Sequence, residues 1–227
     1  MKATYLLAAM IAASSIVACN QADNDAFIIE KAKMQPSVDS TLLREEPWKD
    51  AKKVECLHAP WDSLDDNTVV RSFSTESDVF FRYDVPDTSL CAVTDYAKEE
   101  DILPEDRVEV FFSPTSGMDS YYCAEIDPNG HALDYSAKYY RKMDYGWNFS
   151  SLKTITETRK DSYTVIAIFS KKEIEDLGVD LSKGFYMGIF RADFRPDGSV
   201  NWYSLKGTDD KSPDFHKPAV LFKTIIK

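Results

Sequence analysis

Residues 106–112 read Asp-Arg-Val-Glu-Val-Phe-Phe, and no other stretch constrains the fold as tightly. In an extended strand, Val108, Val110 and Phe112 fall on one side, and Arg107, Glu109 and Phe111 on the other. One side suits a core. The other joins charge to aromatic rings and is either a solvated face or a binding platform. Tyr122, Ala124 and Ile126 alternate in the same way with Tyr121, Cys123 and Glu125. Spacing and turn signals predict strands over 52–58, 68–73, 78–85, 106–112, 120–126, 130–137, 152–159, 162–169, 185–194, 199–204 and 219–225. One helix is expected over 171–177, with Ser170 as N-cap, Glu173 in its first turn and Gly178 as the stop. Many short strands with one brief helix point to an all-β sandwich of immunoglobulin-like or jelly-roll type.

The chain opens with Met1-Lys2 and an apolar run, Ala3 to Ala18, that is short for a membrane span. This reads as an export signal over 1–18. Its end, Ser15-Ile16-Val17-Ala18-Cys19, resembles the bacterial lipobox. The resemblance implies cleavage before Cys19 and a lipid on its thiol, which places the protein at the bacterial cell envelope, either on the outside or facing the periplasm. An ordinary secretory peptide is the other reading. Residues 19–46 then read as a flexible tether with a helical turn near 26–34, and 47–227 as one folded domain. The net charge of -11 argues against nucleic acid and against an anionic membrane surface as partners. Of the 4 cysteines, Cys56, Cys91 and Cys123 remain beside Cys19, so at most one disulfide can form.

The richest stretch is 185–222. It delivers Arg191, Asp193, Trp202, Phe215 and His216 near strand ends, where binding groups commonly sit. A closing hairpin with Trp202 in the core is the plainer reading. Catalysis finds no support. Asp106 and Glu109 are the tempting carboxylate pair, but their odd spacing sends them to opposite faces of a regular strand. No nucleophile-elbow, zinc-protease or phosphate-loop motif is present. His58, His131 and His216 show no ligand spacing, and no Cys-x-x-Cys occurs, so no metal is assigned.

Val79-Phe80-Phe81-Arg82-Tyr83-Asp84-Val85, Glu105 through Phe112, Glu125-Ile126-Asp127-Pro128-Asn129-Gly130, Phe185 through Asp193, Trp202 and Asp214-Phe215-His216-Lys217-Pro218 follow one another in order. Taken together they resemble the family 9 carbohydrate-binding modules, and more closely the family-9-like domains of Bacteroidetes-type lipoproteins, over residues 47–227. The resemblance implies a DOMON-like β-sandwich that holds a glucan- or xylan-like poly- or oligosaccharide without catalysis, beside glycoside hydrolases. It places the family's binding carboxylate on Glu109 and its two ring walls on Phe215 and Leu103, where the family has Trp. Trp147 is the candidate replacement for the missing wall; a plug at the sandwich edge is its other reading. Arg191 is the candidate hydroxyl ligand, and an ion pair with Asp193 or Glu109 is its alternative. No cofactor is expected. Calcium on the acidic loop 62–66 is one option the family allows. A rival reading is haem, with Met118, Met143 or Met187 opposite His131 or His216.

Overall fold

The computed structural model describes residues 26–62, 64–92 and 95–227. The first strands are β1 (Phe27–Ile29), β2 (Lys52–Ala59), β3 (Leu64–Ser74) and β4 (Asp78–Pro86). Next come β5 (Arg107–Ser113), β6 (Tyr121–Ile126), β7 (Ala132–Lys138) and β8 (Lys142–Asp144). The chain continues with β9 (Lys153–Arg159), β10 (Ser162–Ser170) and the helix α1 (Lys171–Asp176). It closes with β11 (Phe185–Phe194), β12 (Val200–Ser204) and β13 (Phe222–Ile226). The hydrogen-bonded order is β8-β7-β6-β5-β11-β12-β2-β3-β4-β10-β9. This path folds over on itself into a sandwich. Only Ser204 and His58 pair across the junction between β12 and β2.

The inner faces meet in an apolar core. β4 contributes Val79, Phe81, Tyr83 and Val85, and β10 contributes Tyr163, Val165, Ala167 and Phe169; β5 contributes Val108, Val110 and Phe112. Each set keeps the period of two, as a sheet with one packed face requires. The expected helix is present and capped by the Ser170 hydroxyl, which accepts from Glu173 N. The Glu173 carboxylate turns away to Ser150 and Ser151 and pins that loop. Gly178, at φ 87°, adopts the left-handed turn that ends the helix.

Two expectations change. The tether ends earlier than residue 46: Phe27–Ile29 form a strand parallel to β13, where a helical turn was expected. Leu42 and Trp48 then pack on Phe73, Phe80, Ile166 and Ile168, covering the outer face of the β3-β4-β10 sheet. The signal over 1–18 and Cys19 lie outside the described residues. No helix among the described residues is long and apolar enough to cross a membrane.

The other sheet also carries a second apolar layer on its outer face. Phe111, Tyr121, Tyr135, Phe190 and Phe215 belong to it, and loops cover it only in part. The candidate site opens there.

Candidate functional site

Arg107 is the centre of the site. It stands on the outer face of β5 with Glu109, and the strand register sets Glu109 opposite Glu125 of β6 and Phe190 of β11. Arg107 Nε donates to Glu125 Oε2 at 2.6 Å and to Glu109 Oε1 at 3.1 Å. Its Nη1 donates to the carbonyl of Leu103 at 2.8 Å. The Tyr135 hydroxyl donates to Glu125 Oε1 at 2.7 Å. All three ionisable groups are buried, and one cation faces two carboxyl groups. Burial and then the Glu125 charge push the Glu109 carboxyl up to about 8, and Arg107 only partly opposes them. Burial alone would lower the Arg107 pKa, but the carboxylates of Glu125 and Glu109 outweigh it and hold the guanidinium charged.

Rings surround this charged floor. The Arg107 guanidinium lies 5.4 Å from the ring centres of both Trp202 and Phe194. Trp202 meets Phe215 edge-on at 5.4 Å, and Phe215 stacks on Phe190 at 4.2 Å with 14° between ring planes. Tyr145, about half exposed, packs on Tyr135 at 5.1 Å. At the rim, Arg141 Nη2 donates to Asp214 Oδ1 at 2.8 Å, and the Tyr140 hydroxyl donates to Asp214 Oδ2 at 2.5 Å. His216 Nδ1 lies 3.0 Å from the Tyr121 hydroxyl, and burial pushes its pKa down to about 4, so the ring is neutral at neutral pH. Of these groups, the Arg107–Glu109–Glu125 cluster with Trp202, Tyr145 and His216 lines an open cavity of about 170 Å³. Flat apolar rings beside donors and acceptors suit a ligand with C–H faces and hydroxyl edges.

No protein-family model and no curated protein matches the sequence. Solved structures do. A Bacteroides uniformis protein inferred to bind carbohydrate superposes with a TM-score of 0.71 at 16% identity, over 89% of this chain and 99% of that one. A family 9 carbohydrate-binding module of Caldicellulosiruptor kristjanssonii in complex with cellotriose gives a TM-score of 0.59 at 12% identity, over 89% and 94%. A family 9 module of the same organism with glucose gives 0.55 at 12% identity, over 88% and 95%. The fold is that of the family 9 carbohydrate-binding modules. At these identities the likeness is one of fold, so the role of each side chain must rest on its own geometry.

Within this family 9 fold, four of the expected residues meet at the cavity: Glu109, Trp202, Phe215 and His216. Leu103 lines it too and is exposed, so no ring stands there. Phe215 is buried, so it supports Trp202 from behind as packing and offers little surface of its own. Arg191 and Asp193 do not reach the cavity. Arg191 pairs with Val108, on the opposite face of β5 from Glu109. It is buried in ion pairs with Asp66, Asp87 and Asp193 at 2.8, 2.9 and 3.1 Å. Trp147 is also elsewhere: it packs on Tyr122 and Phe149 at 5.0 and 4.8 Å and closes the sandwich edge. The nearby loop ring that lines the cavity is Tyr145.

Arg107, Glu125, Tyr145, Arg141 and Asp214 were not among the expected site residues. The alternation of 106–112 did put Arg107 beside Glu109, and that of 121–126 put Glu125 on one face with Cys123. Tyr145, Arg141 and Asp214 come from loops and carried no such signal. On loop 62–66, Asp66 pairs with the Arg191 guanidinium and Asp65 lies against the His58 imidazole, a neighbourhood that suits the all-oxygen coordination of calcium poorly. Asp87, Asp106 and Asp193 also cluster closely, and Asp87 and Asp193 are already engaged in ion pairs with the Arg191 guanidinium. Haem does not fit the cavity. Met143 and His216 both line it, yet about 170 Å³ is below the roughly 300 Å³ at which pockets for drug-sized ligands begin. Met118 and Met187 are core residues, and His131 is held by Asp127 and stacked on Tyr96. Cys56, Cys91 and Cys123 form no disulfide with one another among the described residues.

Proposed function

We propose that this protein is a non-catalytic carbohydrate-binding lipoprotein that holds a glucan- or xylan-like oligo- or polysaccharide at the bacterial cell envelope. The observation that carries this reading is the Arg107–Glu109–Glu125 cluster set beside the half-buried ring of Trp202 and the exposed ring of Tyr145 in one cavity. A pyranose ring presents C–H groups to the rings and hydroxyls to the charges. The fold shared with modules in complex with cellotriose and glucose supports it. Anchoring through Cys19 and action beside glycoside hydrolases belong to the same reading, as does the absence of catalysis. Glu109 and Glu125 both bond the same guanidinium nitrogen. A glycosidase instead holds its carboxylates on either side of a scissile bond.

The test is binding of the purified domain to a panel of soluble and insoluble glycans, repeated with Trp202→Ala and Tyr145→Ala. Retained binding in both variants, or release of reducing sugar by the pure wild-type domain, would overturn the reading.

A further inference from the structure

A second cluster of chemically active side chains lies on the hairpin of β2 and β3, and none of its members lines the sugar cavity. His58 and Asp65 face each other directly across the two strands. The register shifts between Glu55 and Leu57, and Cys56 takes a φ of 87° there. At this kink, the Cys56 Sγ lies 3.9 Å from His58 Nδ1, and the Asp65 Oδ1 lies 2.5 Å from the same nitrogen. The three donor atoms all fall within 4.8 Å of one another.

This convergence separates two kinds of chemistry. A nucleophilic Cys-His-Asp relay sets thiol and carboxylate on opposite ring nitrogens, so that one can give a proton as the other steadies the ring. Here both groups face Nδ1, which holds one proton at most, so a relay is not built. A cation would satisfy all three donors together. Sulfur, imidazole nitrogen and carboxylate oxygen in one set suit zinc and its late first-row neighbours, and suit magnesium or calcium poorly. The side chains of His58 and Asp65 are 27% and 70% exposed, which leaves a fourth position open to solvent.

We propose that Cys56, His58 and Asp65 form an open three-ligand site for a divalent ion of the zinc class. The site stands independently of any sugar binding. Binding deprotonates the Cys56 thiol, so affinity rises with pH. Because His58 also pairs with Ser204 where the two layers join, a bound ion stabilises that seam and raises the unfolding temperature.

The experiment titrates the full chain, reduced and free of chelator, with cobalt chloride as the probe. The expected result is a near-ultraviolet thiolate-to-cobalt band, visible bands of tetrahedral cobalt, displacement by zinc chloride, and a higher melting temperature with either metal. Cys56→Gly is the decisive variant. Glycine accepts the φ of 87° without strain, so this change removes the thiol while suiting the backbone. It should abolish the near-ultraviolet band and weaken cobalt binding by at least about tenfold. His58→Ala should weaken binding similarly, whereas Cys91→Ser should keep the band. Absence of the band in the wild type, or cobalt binding unchanged in Cys56→Gly, would overturn the proposal.

Discussion

The guanidinium of Arg107 sits 5.4 Å from the ring centre of Trp202 while its Nε holds the two buried carboxyl groups of Glu109 and Glu125. One side chain thus sets both the charge of the cavity floor and the position of its main ring. Arg107→Ala should therefore cost more than a contact. Removing one partner of a buried ion group leaves charge uncompensated, at about 3–5 kcal/mol. Denaturant unfolding monitored by tryptophan fluorescence would measure it. A loss below about 1 kcal/mol would show that the network contributes little.

The pH dependence of stability follows from Glu109. Its ordinary value is 4.5, and in the folded protein it is pushed up to about 8. Between those values the folded state binds the extra proton, so this group's contribution falls as pH rises from 4.5 to about 8. Glu109→Gln should remove that fall. Melting temperature across this range should decline less steeply in the variant, and parallel curves would contradict the assignment. His216 works in the opposite sense at lower pH. Its ordinary 6.5 is pushed down to about 4, so its contribution is lost as pH falls through that window, and the comparison must be made between variant and wild type.

Two aromatic substitutions should separate binding from packing. Tyr145→Ala should weaken sugar binding by about tenfold or more, as loss of a principal contact does, with a small effect on folding. Trp147→Ala should do the reverse, costing about 0.5–3 kcal/mol of stability because Trp147 packs on Phe149 and Tyr122. Isothermal titration calorimetry beside thermal melts reads both. Weakened affinity in Trp147→Ala alone would restore the loop tryptophan as a wall.

Phe215→Trp tests the position on which the family resemblance places a tryptophan. Phe215 is buried and stacked on Phe190 at 4.2 Å with Trp202 edge-on beside it, so a larger ring must displace these neighbours to keep its place. Overpacking should cost about 1–3 kcal/mol, without a gain in sugar affinity. Improved binding at unchanged stability would show that the ring can turn outward.

The segment before residue 47 should matter for folding. A chain that begins at residue 47 lacks β1 and the Leu42 side chain that packs with Phe73, Phe80 and Ile166, and it takes from the Trp48 indole N–H its acceptor, the Leu42 carbonyl. It also strips Arg82 Nη1 of its acceptors, the carbonyls of Leu42, Leu43 and Arg44. Compared with a chain that begins at residue 26, it should melt at lower temperature and bind a hydrophobic dye. Equal melting temperatures would return residues 26–46 to the role of a tether.

Much of this molecule follows from local pattern. The period of two in 106–112 puts Val108, Val110 and Phe112 in the core and Arg107, Glu109 and Phe111 outside, whatever the neighbouring strands are. The cap at Ser170 and the stop at Gly178 are likewise local, and both appear where the residues require them. The segment 26–48 was less legible, because three strand residues and two single turns are too short to show a period.

Only tertiary structure decided which side of β11 faces the cavity. Phe190 and Arg191 are adjacent, so pattern alone assigns them to opposite faces without saying which is outer. The pairing of Arg191 with Val108 settles it: Arg191 follows the core side and meets three aspartates, and Phe190 follows Glu109 to the outside. Strand partners distant in sequence set that register, and the loop residues Arg141, Tyr145 and Asp214 reach the cavity through the same long-range pairing. A strand's own residues fix its alternation, because that is a property of extended backbone. Which face meets solvent depends on what packs against it, and that is a property of the whole fold.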